Sequence, residues 1–285
     1  MNPDGLKICL YASEEPFTFF PSVNSLFNSS RKLLIGVVHL RPLPGSPRWR
    51  GDLDSLMRFA VNDARAYARG GAHALFVENF GDVPFTKGSV GPETVAAMAA
   101  AGRAIGEAVD LPLGFNVLRN DARAALALCA ACHGSFIRVN VHTGAMLTDQ
   151  GIIEGNAFET LRLRRQLCPE VLIFADVHVK HAVPLGNWAI ADSARDAVER
   201  GLADALIISG TGTGMAADVA DLERVRAICP KTKLLLGSGV TLANLPDYLR
   251  LADGFIVGTS LKTDGKLSNP VAAKRVAALA KALRR

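Results

Sequence analysis

The chain has 285 residues, well above the size at which a single domain can bury a large core. Hydrophobic residues make up 49% of the sequence and aromatic residues only 6%, which favours a core of Ala, Val, Ile and Leu and argues against an aromatic-rich binding module. The formal net charge of +5 comes without a block of like charges, so the sequence predicts no nucleic-acid partner and suits a small anionic substrate.

Residues 1–30 differ from the rest of the chain and are predicted to form an N-terminal arm or a disordered lead-in. They contain one apolar patch, Phe17–Pro21, but lack the basic start and long apolar core of a secretion signal. No segment reaches the roughly 18 apolar residues of a membrane span. The five cysteines, an odd number, favour a reducing compartment. We therefore expect a cytoplasmic protein with one domain over residues 31–285.

From Leu33 onward, short apolar segments alternate with helical segments of period 3.6. The predicted strands are Leu33–Val38, Ala74–Glu78, Leu113–Val117, Phe136–Val141, Val171–Val177, Ala205–Ser209, Leu234–Gly237 and Phe255–Gly258. The predicted helices are Leu53–Arg69, Glu93–Val109, Asp121–Ala131, Phe158–Leu167, Ser193–Arg200, Leu222–Ile228, Leu242–Leu251 and Val271–Leu283. Eight regular units favour a single α/β fold, the closed (β/α)8 barrel with eight parallel strands, over an open doubly wound sheet.

One segment matches a known motif without fitting its context. Cys129–His133 has the spacing of a covalent haem attachment site, and a pair of cysteines three apart also suggests redox chemistry. The segment ends the third predicted helix, on the side that faces the sheet. We interpret the two cysteines as small buried hydrophobic residues.

Polar residues follow most of the predicted strands, where side chains of a barrel point into its mouth. These residues are His39, Glu78, Asn116, Asn140, His142, Asp176, His178 and Lys180. In strand five the alternation predicts that Asp176, His178 and Lys180 share one face. That face would hold an acid, a base and a cation for proton exchange. A buried ion-pair network that closes the barrel is the alternative interpretation.

The polar set also contains ligand types that divalent metals accept, namely His39, Glu78, Asp176 and His178. No compact spacing such as His-x-His on one strand supports a metal. The sequence therefore predicts no cofactor, with a divalent metal and metal-dependent hydrolysis as the alternative.

Glycine-rich segments follow the last three predicted strands. Glycine lets backbone amides approach an anion closely, and the loops after strands seven and eight hold phosphate in many barrels. The predicted phosphate-binding residues are Gly210, Gly212, Gly237, Ser238, Gly239, Gly258, Thr259 and Ser260. Alternatively, these glycines only permit tight turns. The spacing around Gly210 does not fit a dinucleotide fingerprint, which would also follow the first strand.

Several ordered segments together resemble the BtpA family over about residues 33–283. They are Ile35–Pro47, Val77–Phe85, Gly114–Asp121, Phe136–Val141, Ala175–His181 and Ser209–Gly212. The resemblance implies the barrel fold. It also implies a link to photosystem I biogenesis or stability, for which the family is named, although other members occur in organisms without photosynthesis. It brings no settled catalytic mechanism to these residues.

Two functions are therefore expected from the sequence. The first is an enzyme acting on a small phosphorylated substrate, such as a sugar phosphate or a nucleotide-related compound, by isomerisation, aldol-type cleavage or glycosyl-bond cleavage. Asp176 and His178 would exchange protons, and Lys180 would stabilise negative charge or form an imine. Hydroxyl groups would be oriented by Asn116, Asn140 and Glu78. The second is a non-catalytic assembly or stability factor; pairing of barrels through their outer helices stays open for either.

Overall fold

The computed structural model describes residues 26–27 and 31–284, and its centre is a closed barrel of parallel strands. In chain order the strands are β1 (Leu33–His39), β2 (Ala74–Glu78), β3 (Leu113–Asn116), β4 (Phe136–Val139), β5 (Ala145–Thr148), β6 (Gly151–Glu154), β7 (Leu172–Val177), β8 (Ala182–Pro184), β9 (Ala205–Ile208), β10 (Lys233–Leu236) and β11 (Gly254–Val257). The barrel order is β1-β11-β10-β9-β7-β4-β3-β2, so eight strands close the ring. The predicted (β/α)8 barrel is confirmed.

Helices surround the barrel. They are α1 (Leu53–Gly70), α2 (Pro92–Ala108), α3 (Ala122–Cys132), α4 (Ala157–Leu167), α5 (Ile190–Glu199), α6 (Val219–Ile228), α7 (Leu245–Tyr248) and α8 (Ala273–Ala282). The helix predicted over Leu242–Leu251 is reduced to the single turn of α7. Residues before it form a turn in which Asn244 Oδ1 accepts from the Thr241 amide at 2.8 Å, and Asn244 Nδ2 donates to the Gly239 carbonyl at 2.8 Å. These side-chain hydrogen bonds fix a turn over residues 241–244 in place of the first part of the predicted helix.

Large apolar side chains fill the barrel interior toward the amino ends of the strands. Phe136 packs edge-on against Phe76 at 4.8 Å and stacks on Phe174 at 5.1 Å. Leu26 and Phe27 pack against this layer. This packed layer fills the interior among the described residues, and in barrels of this type ligands bind at the carboxyl ends of the strands. The apolar patch Phe17–Pro21 lies outside the described residues.

A small sheet covers part of the upper end. The segment His142–Asn156, for which the sequence predicts neither a strand nor a helix, contains the β5–β6 hairpin, and β8 pairs with β5 on the other side. The sequence prediction missed this sheet because its strands have only three or four residues and three of its apolar side chains, those of Leu147, Ile152 and Val183, are exposed. None of the helices in the described part of the chain has the length and apolar character that crossing a membrane requires.

The cysteine segment has the structural role that was predicted. Cys129 and Cys132 are free and buried on α3. The Cys129 thiol contacts the Phe136 carbonyl oxygen at 3.5 Å, and burial raises its pKa well above the usual value. His133 follows α3 with a left-handed backbone that ends the helix.

Candidate functional site

A cavity of about 740 Å³ opens at the carboxyl ends of the strands. Titratable side chains from four strands or strand ends line its floor, and they are His39, Glu78, Arg138 and Lys180. The turns after β10 and β11 form its wall with Gly237, Ser238, Gly239, Gly258, Thr259 and Ser260. Nine predicted site residues therefore line one cavity.

Arg138 and Asp176 form a buried ion pair between β4 and β7. Arg138 Nε lies 2.7 Å from Asp176 Oδ2, and Arg138 Nη2 lies 2.7 Å from Oδ1. Asn140 Nδ2 donates to the same carboxylate at 3.0 Å, and Ser209 Oγ lies 3.4 Å from it. Both carboxylate oxygens are occupied, so this geometry does not suit the predicted proton exchange by Asp176. Instead, Asp176 holds the Arg138 guanidinium at the cavity floor.

Glu78 and Lys180 bring an acid and an amine to the same floor. Asn116 Nδ2 donates to Glu78 Oε2 at 2.6 Å, which fixes the carboxylate and leaves Glu78 Oε1 without a hydrogen bond from this amide. The Lys180 backbone carbonyl accepts from Arg119 Nη2 at 2.6 Å. Burial lowers the pKa of Lys180, and the negative charge of Glu78 partly opposes that change. A greater share of neutral amine makes Lys180 a better base or nucleophile.

His39 stands between the floor and the turn after β11. Its ring meets Phe80 edge-on at 5.0 Å, and its Nδ1 is buried without a hydrogen-bond partner in the described structure. A side chain at position 258 would collide with this ring, so Gly258 makes room for the imidazole. Burial, with added repulsion from Lys262, Lys180 and Arg138, lowers the pKa of His39 well below its usual value. These surroundings favour the neutral imidazole form of His39.

The turn after β10 depends on glycine. Gly239 has φ of +73°, and a side chain there would collide with the carbonyl of Met215 in the neighbouring loop. The Ser238 hydroxyl and the Thr213–Gly214 segment complete this side of the cavity. Close approach of backbone is what an anion-binding turn requires.

Seven predicted site residues do not line the cavity. Asn116, Asn140 and Asp176 form the hydrogen bonds described above, and the other four lie elsewhere. His142 is buried, and its Nε2 lies 2.7 Å from the Gly201 carbonyl oxygen. His178 lies 3.0 Å from Ser193 Oγ on α5. Gly210 packs against backbone carbonyls of its own loop, and Gly212 packs near the Met215 side chain; these two glycines support a turn and do not line the cavity.

The expected common face of Asp176, His178 and Lys180 is wrong. Strand β7 ends at Val177, and His178 has φ of +51°, so the alternation of side chains stops there. The four residues of the alternative metal set are not brought together as ligands. The His178 ring contacts Ser193 on α5, and both oxygens of the Asp176 carboxylate accept from Arg138. Within residues 26–27 and 31–284, no group of three or more His, Cys, Asp or Glu side chains is arranged to hold a metal ion.

The profile of the BtpA family matches residues 30–285. Photosystem I biogenesis protein BtpA of Synechocystis is 46% identical over 250 residues, which cover 88% of this chain and 87% of that protein. This chain belongs to the BtpA family. A Thermococcus kodakarensis relative is 50% identical over 257 residues, covering 89% of this BtpA-family chain and 97% of the relative.

Solved structures resemble this BtpA-family chain in fold. Phosphoribosyl anthranilate isomerase from Thermus thermophilus gives a TM-score of 0.55 at 17% identity, covering 88% of this chain and 98% of that one. Tryptophan synthase from Mycobacterium tuberculosis gives 0.61 at 19% identity, covering 92% and 96%. At such identities the likeness establishes a TIM-barrel fold and carries no function across.

Three cations of this BtpA-family site were missed by the sequence prediction. Arg138 interrupts the apolar strand β4, and a charge inside a barrel strand was a usable signal. Lys274 and Arg275 line the cavity from the first turn of α8. Cations are unfavourable at the positive end of a helix dipole, so basic residues there also indicate a role other than helix stability.

Proposed function

We propose that this BtpA-family barrel is an enzyme that acts on a small phosphorylated substrate, a sugar phosphate or a nucleotide-related compound. One observation carries the proposal: a single cavity joins two glycine- and serine-bearing turns to a floor with Glu78, Arg138 and Lys180. An anion held at the turns would place the rest of a small molecule against the acid and the amine. Such positioning supplies much of the rate enhancement in enzymes.

The phosphate would bind at the turns after β10 and β11. In the described chain, the backbone amides of Gly239 and Thr259 donate to no protein acceptor, which leaves them available to an anion. Lys274 and Arg275 add positive charge at the same wall, and Arg275 is anchored by its contact with the Ser260 carbonyl at 3.3 Å. Amide donors and cations together match the charge and the acceptor oxygens of phosphate.

The chemistry would occur at the floor. Lys180, with its lowered pKa, would remove a proton or form an imine, and Glu78 would exchange a proton with the substrate. Arg138 would stabilise an enolate or alkoxide that develops near it. These steps serve isomerisation and aldol-type cleavage. Glycosyl-bond cleavage by a carboxylate pair is less well supported, because Arg138 and Asn140 occupy the second carboxylate, that of Asp176.

Ligand binding tests the phosphate site. Inorganic phosphate and sugar phosphates should raise the melting temperature of the protein. Lys274→Glu should weaken that binding about tenfold, since it reverses a charge at the proposed site. Lys281→Glu is the matched control, because it makes the same change at the far end of α8, outside the cavity. Equal affinities of the two variants for inorganic phosphate would contradict the assignment.

An assembly or stability factor is the second candidate, supported by the name of the Synechocystis relative and by one surface. Leu147 pairs with Ile152 on one side and Val183 on the other, and all three side chains are about half exposed. An apolar row across a small sheet is typical of protein contacts. Absence of turnover and of any melting-temperature shift over a panel of phosphorylated compounds would favour this candidate.

A further inference from the structure

A second groove opens beside the cavity. It lies between the segment after β1, the start of α1, the segment after β2 and residues 266–268, and its volume is about 1410 Å³. His39 lines both the groove and the cavity. Because Gly258 of the phosphate wall touches the His39 ring, the groove begins next to the proposed phosphate site.

The groove is positively charged. Its cationic lining residues are Arg41, Arg48, Arg50 and Lys266. Asp52 is the one acidic residue that lines it within the described chain, and its carboxylate caps α1 by accepting the Ser55 amide at 2.8 Å. A surface with this excess of guanidinium and ammonium groups attracts an anionic ligand.

Flat groups line the same groove. Trp49, Phe59 and Phe80 contribute rings, and the Arg41 guanidinium lies 3.9 Å from the centre of the Phe59 ring. Trp49 is partly buried against the main core, so its position is supported from behind. Aromatic rings and guanidinium planes are the groups on which nucleobases stack, with little demand on base identity.

We propose that the groove binds the base of a nucleotide whose phosphate occupies the turns of the cavity. The inference rests on the proposed function for the phosphate and extends it to a substrate class. A sugar phosphate alone would occupy the cavity and leave the cationic, aromatic groove unused. A nucleotide joins a phosphate and a planar ring through a sugar, so one molecule could occupy the turns and the adjoining groove together.

Tryptophan fluorescence provides a direct test because the chain has two tryptophans, Trp49 and Trp188. Trp188 is 57% exposed and lines neither the cavity nor the groove. In a Trp188→Phe protein, Trp49 is the sole tryptophan. AMP should quench this fluorescence and bind about tenfold more tightly than ribose 5-phosphate, which lacks the base. Ribose 5-phosphate should bind without quenching.

Two variants locate the effect. Trp49→Leu should remove the affinity advantage of AMP, measured by calorimetry, while ribose 5-phosphate binds as before. Lys274→Glu should weaken both ligands, since both carry the phosphate. Equal affinity of AMP and ribose 5-phosphate with unchanged Trp49 fluorescence would overturn the nucleotide inference and leave the phosphate site standing. If neither ligand binds, the proposed function fails with it; AMP binding that Lys274→Glu does not alter would sever the groove from the phosphate site.

Discussion

The two halves of the barrel mouth carry similar residue types but differ in whether the side chains have hydrogen-bond partners within the protein. In the open half, between β1, β10, β11 and α8, His39, Glu78 and Lys180 face a cavity. In the covered half, next to the three-stranded sheet, Asp176 is held by Arg138, and His142 is held by a backbone carbonyl. Polar residues at strand ends therefore do not identify a site by themselves. A site is indicated by polar side chains that face a cavity and still have free hydrogen-bonding groups.

The covered half still contributes to the open half. Asp176 lies under the sheet side of the barrel, yet the guanidinium it holds reaches the cavity floor. Breaking this pair would leave a buried charge without a partner. Some residues line the cavity, such as Arg138, and others, such as Asp176, position the residues that line it.

The largest expected effect separates the two halves by activity. Glu78→Gln and Lys180→Met should each lower turnover of the phosphorylated substrate by about 10²- to 10⁴-fold, because each removes a group proposed for proton transfer. His178→Gln should change turnover by less than about threefold, since His178 contacts Ser193 and not the cavity. Steady-state kinetics on folded variants measures both. A large loss in His178→Gln with full activity in Glu78→Gln would reverse the assignment of the halves.

A second prediction concerns stability. Asp176→Asn should lower the free energy of unfolding by about 3–5 kcal/mol, because it leaves the buried Arg138 guanidinium without its carboxylate. The double variant Asp176→Leu with Arg138→Met should regain most of that stability and still lack activity. Urea unfolding measures the first effect and kinetics the second. A fully active double variant would show that Arg138 has no part in the site.

The third prediction is a pH effect from each half. Burial lowers the pKa of His142, so the unfolded chain binds protons more readily, and the contribution of His142 to stability is lost as pH falls below its unfolded value of about 6.5. Lys180 also has a lowered pKa, and as a base it should make kcat rise with pH toward that value. His142→Gln should flatten the acid limb of the stability curve and leave the pH profile of kcat unchanged. A shifted kcat profile in that variant would place His142 in the reaction.

The sequence was sufficient to predict the barrel because its signals are local and repeated: short apolar segments alternate with periodic helical segments. It also located the turns after β10 and β11 and the floor residues His39, Glu78 and Lys180. It could not show that β7 ends at Val177, because the polar and apolar residues continue to alternate past Val177 and no local signal marks the turn at His178. The pairing of Asp176 with Arg138 joins residues 38 apart, and no spacing rule reveals such a contact.

We propose that the open half binds phosphate through the turns after β10 and β11. Nuclear magnetic resonance of ¹⁵N-labelled protein tests it at single amides during titration with ribose 5-phosphate. The amide signals of Gly239 and Thr259 should shift in a saturable manner, while those of Gly212 and the β5–β6 hairpin stay in place. Shifts confined to the hairpin side, with Gly239 and Thr259 unmoved at saturating ligand, would contradict the account.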